Sequence, residues 1–422
     1  MRKKIVLVGN GPYQNRGCEA IVLGTLKILG ESLPGVAVEN RFFAGSVDVE
    51  WGAGARPGLT QDIPEIPLPS VYPAPRFSWP WALSKLGLIL GPHDFGYLLF
   101  QKFQNSVANE IGTAYAALQI GGDNYSLDYG IPLQHAAIDA LLTSRGVPVV
   151  LWGASVGPFN SKRNVEKWMV HHFRKNIGII LVRESKSLEY LQKVGLGART
   201  FLMSDPAFVM EPTKPPDSLM PHDLPKSAIG VNLSPLILKF RDPKGDMECW
   251  VKEAADLIRA LRDNLNAPLF LIPHVTKAGN NDYEFMLKAV RQAGLGEGDV
   301  SMISPNLTAS ELKWIISHLT LLIAARTHAT IAGFSTCVPT ISISYSIKSQ
   351  GLNEQLFGNQ DLVVPANRLS SELLLKVART TIERSDEIHG RLVDIIPSIQ
   401  KAAFSGGEIL KQHLNRYYSI ED

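Results

Sequence analysis

The run Leu321-Leu322-Ile323-Ala324-Ala325-Arg326-Thr327-His328-Ala329-Thr330-Ile331-Ala332-Gly333 changes character in its middle. An unbroken apolar stretch suits a strand buried on both faces, as in a parallel sheet. Arg-Thr-His interrupts it, and small residues at helical spacing follow. A strand feeding directly into a helix is half of a βαβ unit, and the carboxyl end of such a strand is where α/β sheets take ligands. Arg326 offers a planar fork for carboxylate or phosphate. His328 is the side chain able to take or give a proton near neutral pH. The helix start that follows adds amides and the positive end of a dipole. Burying Arg326 there without an anion is costly, so the turn reads as a site for a small, strongly anionic ligand.

The same alternation extends in both directions. Lys4–Val8, Ala116–Ile120, Val147–Trp152 and Ile177–Val182 read as buried strands, with helices over Glu19–Leu29 and Leu133–Leu142. A second series follows: Ala228–Leu233, Pro268–Ile272, Leu319–Ala325 and Pro339–Ser344. Between the series, Glu211–Pro225 is broken by repeated prolines that neither a helix nor a central strand accepts, and it reads as a linker. The expected fold is α/β, with two Rossmann-like domains facing across a cleft. The first spans 1–210 and includes a proline- and aromatic-rich insertion at 44–105. The second spans 226–390, and 391–422 is a C-terminal helix. The insertion packs its aromatics on the first domain, or forms a lip for an acceptor or a membrane surface.

The remaining strand ends supply further candidates. Gly9-Asn10-Gly11 is followed by Pro12 and a gap before Gly17, which is the wrong spacing for a dinucleotide loop. The turn instead places Asn10, Asn15 and Glu19 near a helix start, or is simply a tight connection. Gly121-Gly122-Asp123-Asn124 leaves Asp123 as a base, a sugar-hydroxyl acceptor or a helix cap. Arg183 follows another strand, as an anion contact or as half of a surface ion pair. His274 follows Pro273, with Asn280, Asn281 and Asp282 close behind. Ser346 and Lys348 lie past the last strand, and Lys348 is one more cation at that edge.

Composition narrows the classes. The 422 residues exceed one ordinary core at roughly 150 residues per domain. With 42 basic and 40 acidic residues the net charge is +2, which gives no electrostatic case for nucleic acid. Three scattered cysteines, Cys18, Cys249 and Cys337, indicate neither a disulfide framework nor a zinc site, and a reducing cytoplasm is the natural reading. No run approaches the roughly 18 apolar residues of a membrane span, so membrane association is at most peripheral. No metal-ligand cluster is evident.

In this order the turns resemble the polysaccharide pyruvyl transferase family. The resemblance rests on Gly9 to Ala20, Gly121 to Asn124, Trp152 to Pro158, Val182 to Ser185, Asp205-Pro206, Pro273-His274, Arg326 to His328 and Ser346 to Gly351. The family more often has a third glycine where Asp123 stands. The resemblance implies a GT-B-like fold and transfer of pyruvate from phosphoenolpyruvate onto two hydroxyls of a sugar, giving a ketal and phosphate. No cofactor is implied beyond phosphoenolpyruvate as donor substrate. On this reading Arg326, Arg183, Lys348, Thr327 and Ser346 bind the donor, and His328 is the general acid/base. Asp123 and His274 assist catalysis, while Asn10, Asn15, Glu19 and Asn124 bind a glycan acceptor, lipid-linked or not. The expected location is the cytoplasm or the inner face of the membrane. Two rivals stand beside it. One is a GT-B glycosyltransferase with a nucleotide-sugar donor, for which Glu354 would be the ribose-binding acid. The other is a non-enzymatic assembly protein.

Overall fold

The computed structural model describes residues 3–43, 65–68, 109, 111, 113–127, 130–160, 163–221, 223–296, 298–345 and 347–419. The chain forms two compact units. The first comprises Met1–Pro12, Ile21–Pro206 and Lys401–Asp422, and the second Tyr13–Ala20 and Ala207–Gln400.

In the first unit, strands β1 (Lys4–Asn10), β2 (Ala37–Phe43), β3 (Glu65–Leu68), β4 (Ala116–Gln119), β5 (Val149–Ala154), β6 (Ile179–Val182) and β7 (Thr200–Leu202) share one sheet. Their order is β3-β2-β1-β4-β5-β6-β7, with parallel pairing throughout. Ile5, Val6, Leu7 and Val8 are all 0% exposed, the signature of a strand covered on both faces. Helices α1 (Arg16–Ser32), α2 (Leu133–Thr143), α3 (Arg163–Asn176) and α4 (Ser185–Lys193) follow β1, β4, β5 and β6. Polar groups brought into this core are paired: the Trp152 indole N–H donates to Thr25 Oγ1 at 2.9 Å.

The second unit has β8 (Ile229–Asn232), β9 (Leu269–Leu271), the short antiparallel pair β10 (Thr276–Lys277) and β11 (Asn280–Asn281), then β12 (Ser301–Met302), β13 (Leu321–Ala324), β14 (Thr340–Ser344) and β15 (Val363–Pro365). Its main sheet runs β12-β9-β8-β13-β14-β15, again parallel. The helices are α5 (Leu236–Arg241), α6 (Met247–Asn264), α7 (Asp282–Gln292), α8 (Ala309–Ile316), α9 (Thr327–Ser335), α10 (Ile347–Phe357), α11 (Ser371–Glu383) and α12 (Ser385–Ser419).

Counted within its own unit, each sheet begins 3-2-1-4-5-6, the Rossmann order. The order reverses between β1 and β4 in the first unit and between β8 and β13 in the second. Those two places, at the carboxyl ends of the strands, are where such sheets open a crevice for ligands.

The units are not simple halves of the chain. Tyr13–Ala20, expected with the first domain, clusters with the second unit, and the main changeover falls at Pro206/Ala207. Glu211–Pro225 therefore belongs to the second unit, where Thr213 N–H donates to Ser310 O at 3.1 Å. The final helix begins at Ser385 rather than 391, and from Lys401 onward it clusters with the first unit. Contacts made by a segment decide its unit, and proline content alone does not reveal them. Of the insertion at 44–105, only Glu65–Leu68 falls among the described residues.

Candidate functional site

At the β8/β13 switch, Asn232 holds the turn after β13. The Arg326 amide donates to Asn232 Oδ1 at 3.0 Å. The Arg326 side chain turns to Asp282, the first residue of α7. Nη2 donates to Asp282 Oδ1 at 2.7 Å, Nε to both carboxylate oxygens at 3.2 Å, and Nη2 also to Asn280 Oδ1 at 2.8 Å. Arg326 is 7% exposed and Asp282 0%. The sequence argument that a buried Arg326 calls for a bound anion is corrected here: the anion is internal, and it occupies the Nε/Nη2 edge of the fork.

His274 follows β9 and is buried. Burial, with the neighbouring charges of His328, Arg326 and Arg16, pushes its protonation well below the ordinary range, so the ring is neutral. His328, the second residue of α9, packs its ring on Gly17. A Cβ built on Gly17 would lie 2.5 Å from His328 Nδ1 and 2.7 Å from Cγ, so only glycine fits. His328 Nε2 is buried.

The Tyr13–Ala20 segment is stitched onto this edge. Arg16 N–H donates to His274 O at 3.0 Å and Thr276 N–H to Gln14 O at 2.8 Å, while Asn15 bridges Val275. Arg16, not selected from the sequence, thereby joins the cluster. It donates through Nη1 to Glu19 at 3.2 Å and through Nη2 to Pro305 O at 3.2 Å. A basic residue next to the loop glycine was the available signal.

Two expected acceptor ligands are engaged structurally. Asn15 Oδ1 accepts from Gly17 N at 3.0 Å, and its carbonyl accepts from Cys18 N and Glu19 N at 2.9 and 3.3 Å. The opening amides of α1 are thus already used by the chain itself. Glu19, 2% exposed, accepts from the Ala309 amide at 3.0 Å and so supports the start of α8. Burial raises its pKa above the usual carboxylate range.

Arg183 belongs to the first unit. Its Nη2 donates to Asp123 Oδ1 at 2.7 Å, Nη1 to Asp205 Oδ2 at 2.5 Å and Nε to Ser155 Oγ at 3.0 Å. Asp123 and Arg183, expected in separate roles, are therefore ion-pair partners. Asn124 Nδ2 donates to Gly9 O and Ile120 O at 2.7 and 2.6 Å, bracing the ends of β1 and β4. Asn10 is 1% exposed at the end of β1.

Behind β4 lies a network that sequence reasoning missed. Asp139 accepts from Tyr125 OH, and from Gln119 Nε2 at 2.8 Å, and pairs with His172 Nε2 at 3.1 Å. Asn176 Nδ2 donates to His172 Nδ1 at 2.9 Å, which leaves the Nε2 proton facing Asp139. Asp139 is spaced among core residues of α2, so its position carried no polar signal.

Thr327 opens α9. Lys348 lies in the first turn of α10, and its side chain and Ser346 fall outside the described residues. Among the described residues, no group of three or more His, Cys, Asp or Glu side chains could hold a metal ion. Among them too, no helix is long and apolar enough to cross a membrane.

The fold is shared with sugar-nucleotide enzymes. Medicago truncatula UGT71G1 complexed with UDP-glucose aligns with a TM-score of 0.60 at 10% identity, over 98% of each chain. UDP-GlcNAc 2-epimerase from Neisseria meningitidis bound to UDP-GlcNAc gives 0.58 at 10% identity, over 98% of this chain and 100% of that one. The S. aureus MnaA–UDP structure gives 0.57 at 11% identity, over 99% and 97%. Two Rossmann-like domains of the GT-B kind are thus established as the class. No curated protein matches the chain by sequence. The chain does match the polysaccharide pyruvyl transferase family over residues 15–347, and it belongs to that family. It is a transferase of the pyruvyl group for polysaccharides.

Proposed function

We propose that the protein transfers pyruvate from phosphoenolpyruvate onto two hydroxyls of one sugar, forming a ketal and releasing phosphate. The observation that carries this reading is the second unit's edge. Arg326, His328, His274 and Arg16 converge at the sheet's switch point, in a chain of this family. Positive charge and an exchangeable proton at one place suit a donor that bears both a phosphate and a carboxylate.

His328 supplies a proton to the methylene carbon of the donor, and charge develops at the central carbon. The first sugar oxygen bonds there and passes its proton to His328, restoring it. The second hydroxyl oxygen then bonds to the same carbon as the C–O bond to phosphate breaks, which closes the ring, and its proton leaves with phosphate. Arg326 and Thr327 hold the donor, with Lys348 and Ser346 as further donor contacts. His274, neutral and buried, offers a ring nitrogen to the reacting groups. Asp123 presents a carboxylate to sugar hydroxyls, alongside Asn10 and Asn124. The acceptor is a polysaccharide or its precursor, and the reaction belongs on the cytoplasmic side, where phosphoenolpyruvate is at hand.

Incubation with phosphoenolpyruvate and candidate oligosaccharides should add the mass of pyruvic acid less one water and release phosphate. His328→Ala should lower that rate by about 10²–10⁴-fold with the fold intact. Full activity in that variant would remove His328 from the role. A thermal shift produced by nucleoside diphosphates and not by phosphoenolpyruvate would favour a nucleotide-sugar donor instead. Glu354, the acid such a donor would want, is exposed and accepts from Gln360 Nε2 at 3.0 Å.

A further inference from the structure

We infer that Asp282 is the positioning residue of the donor edge. Its carboxylate fixes the Arg326 guanidinium and the His274 main chain in one arrangement, and the donor anion is read by that arrangement. The inference rests on the second unit being the phosphoenolpyruvate side.

Five donors from three strand ends converge on this one side chain. Oδ2 accepts from Asn232 Nδ2 at 3.2 Å, His274 N at 3.2 Å and Val275 N at 3.0 Å, while Arg326 Nη2 and Nε close on the pair of oxygens. Asn232 closes the circuit, donating to Ile272 O at 2.9 Å and accepting from Arg326 N. The ends of β9, β8 and β13, neighbours in the sheet, are therefore locked through one buried carboxylate. A carboxylate has about four lone-pair sites and no proton to give when ionised. Those of Asp282 are committed to the protein, so it acts through Arg326 and His274 and does not touch the donor. It is the first residue of α7, so the helix start holds the carboxylate in place. A guanidinium held before its ligand arrives loses little freedom on binding, so donor affinity depends on what stands behind it.

Charge alone argues the other way. Removing a negative group beside an anion site should tighten anion binding, whereas removing a positioning group should weaken it. Titration calorimetry of the full chain with phosphoenolpyruvate separates the two. Asp282→Asn should bind about tenfold or more weakly, and Arg326→Lys should also bind weakly. The double variant should bind no more weakly than Arg326→Lys, to within about twofold, because the two residues act as one. Asp282→Asn binding as tightly as the native chain or tighter, or fully additive losses, would overturn the inference. Should Asp282→Asn fail to fold, Asp282→Glu keeps the charge and displaces it by one methylene. That variant is expected to fold and bind weakly, and native affinity in it would equally sink the idea. If the native chain binds no phosphoenolpyruvate, the donor reading falls. The pairing is then tested on the Arg326 Nε–H resonance. Slow exchange in the native chain and fast exchange in Asp282→Asn support positioning, and no difference rejects it.

Discussion

Arg183 and Arg326 stand just past the ends of parallel strands, β6 and β13, and both side chains are 8% exposed. Their surroundings differ. Arg183 lies between two carboxylates, a buried one on Asp205 and one on Asp123 with its side chain 32% exposed. Arg326 meets the single buried carboxylate of Asp282, and two histidines and Arg16 share its neighbourhood. The first cluster sets one arginine against two carboxylates; the second matches Arg326 and Arg16 with Asp282 and Glu19 and adds two histidines. An acidic edge with a partly exposed carboxylate suits groups that donate hydrogen bonds, such as sugar hydroxyls. An edge with two guanidiniums and two histidines suits an anion. Two sheets of one strand order differ at the turn after a strand, which is the place this fold leaves open to change.

The comparison can be broken first at Asp205. Asp205→Ala should destabilise the first unit by about 3–5 kcal/mol, since it strips a buried arginine of its buried partner. Asp123→Ala should cost at most about 1 kcal/mol, because its carboxylate is partly solvated. Denaturant unfolding of the two variants decides the matter, and equal costs would mean that the acidic cluster is uniform rather than graded.

Gly17→Ala probes the basic edge. The added methyl must displace the His328 ring, an overpacking on the order of 1–3 kcal/mol. Turnover should fall while phosphoenolpyruvate affinity holds, as measured by steady-state kinetics beside calorimetry. Unchanged turnover would show that the ring's seat on Gly17 is incidental.

The last effect concerns acid. Burial holds the His135 pKa down to about 4, against an ordinary value near 6.5 in the unfolded chain. The unfolded state therefore takes the proton first. The stabilisation is whole above about pH 6.5 and is lost as the pH falls toward 4. His135→Gln should flatten that decline by on the order of 1–3 kcal/mol, read from unfolding at pH 7 and pH 4.5. Parallel profiles would place the acid sensitivity elsewhere, with His274 in the second unit the next group to replace.

The fold was legible because buried parallel strands write themselves as apolar runs. Leu321–Ala324 and Lys4–Val8 could be read directly, and the residues after them marked the sheet edges. Partners across the chain were not legible. Asp282 and Arg326 are 44 positions apart and meet only because α7 starts beside the β13 turn. Glu19 meets the Ala309 amide at a separation of 290. Neither distance leaves a trace in spacing, which is why Arg326 read as a bare cation and Glu19 as a ligand. Gly17 was visible as a motif letter, but its reason, the His328 ring, appears only in three dimensions.

The Tyr13–Ala20 excursion bears on how this protein can be dissected. A fragment cut at Ala207 and carried to Gln400 would leave behind Arg16, Gly17 and Glu19. It would expose the His274 carbonyl and the Ala309 amide that they cover, and His328 would lose the surface its ring rests on. A recombinant second domain would therefore need residues 13–20 restored, as a fused or added peptide, before its donor binding could be compared with that of the whole chain.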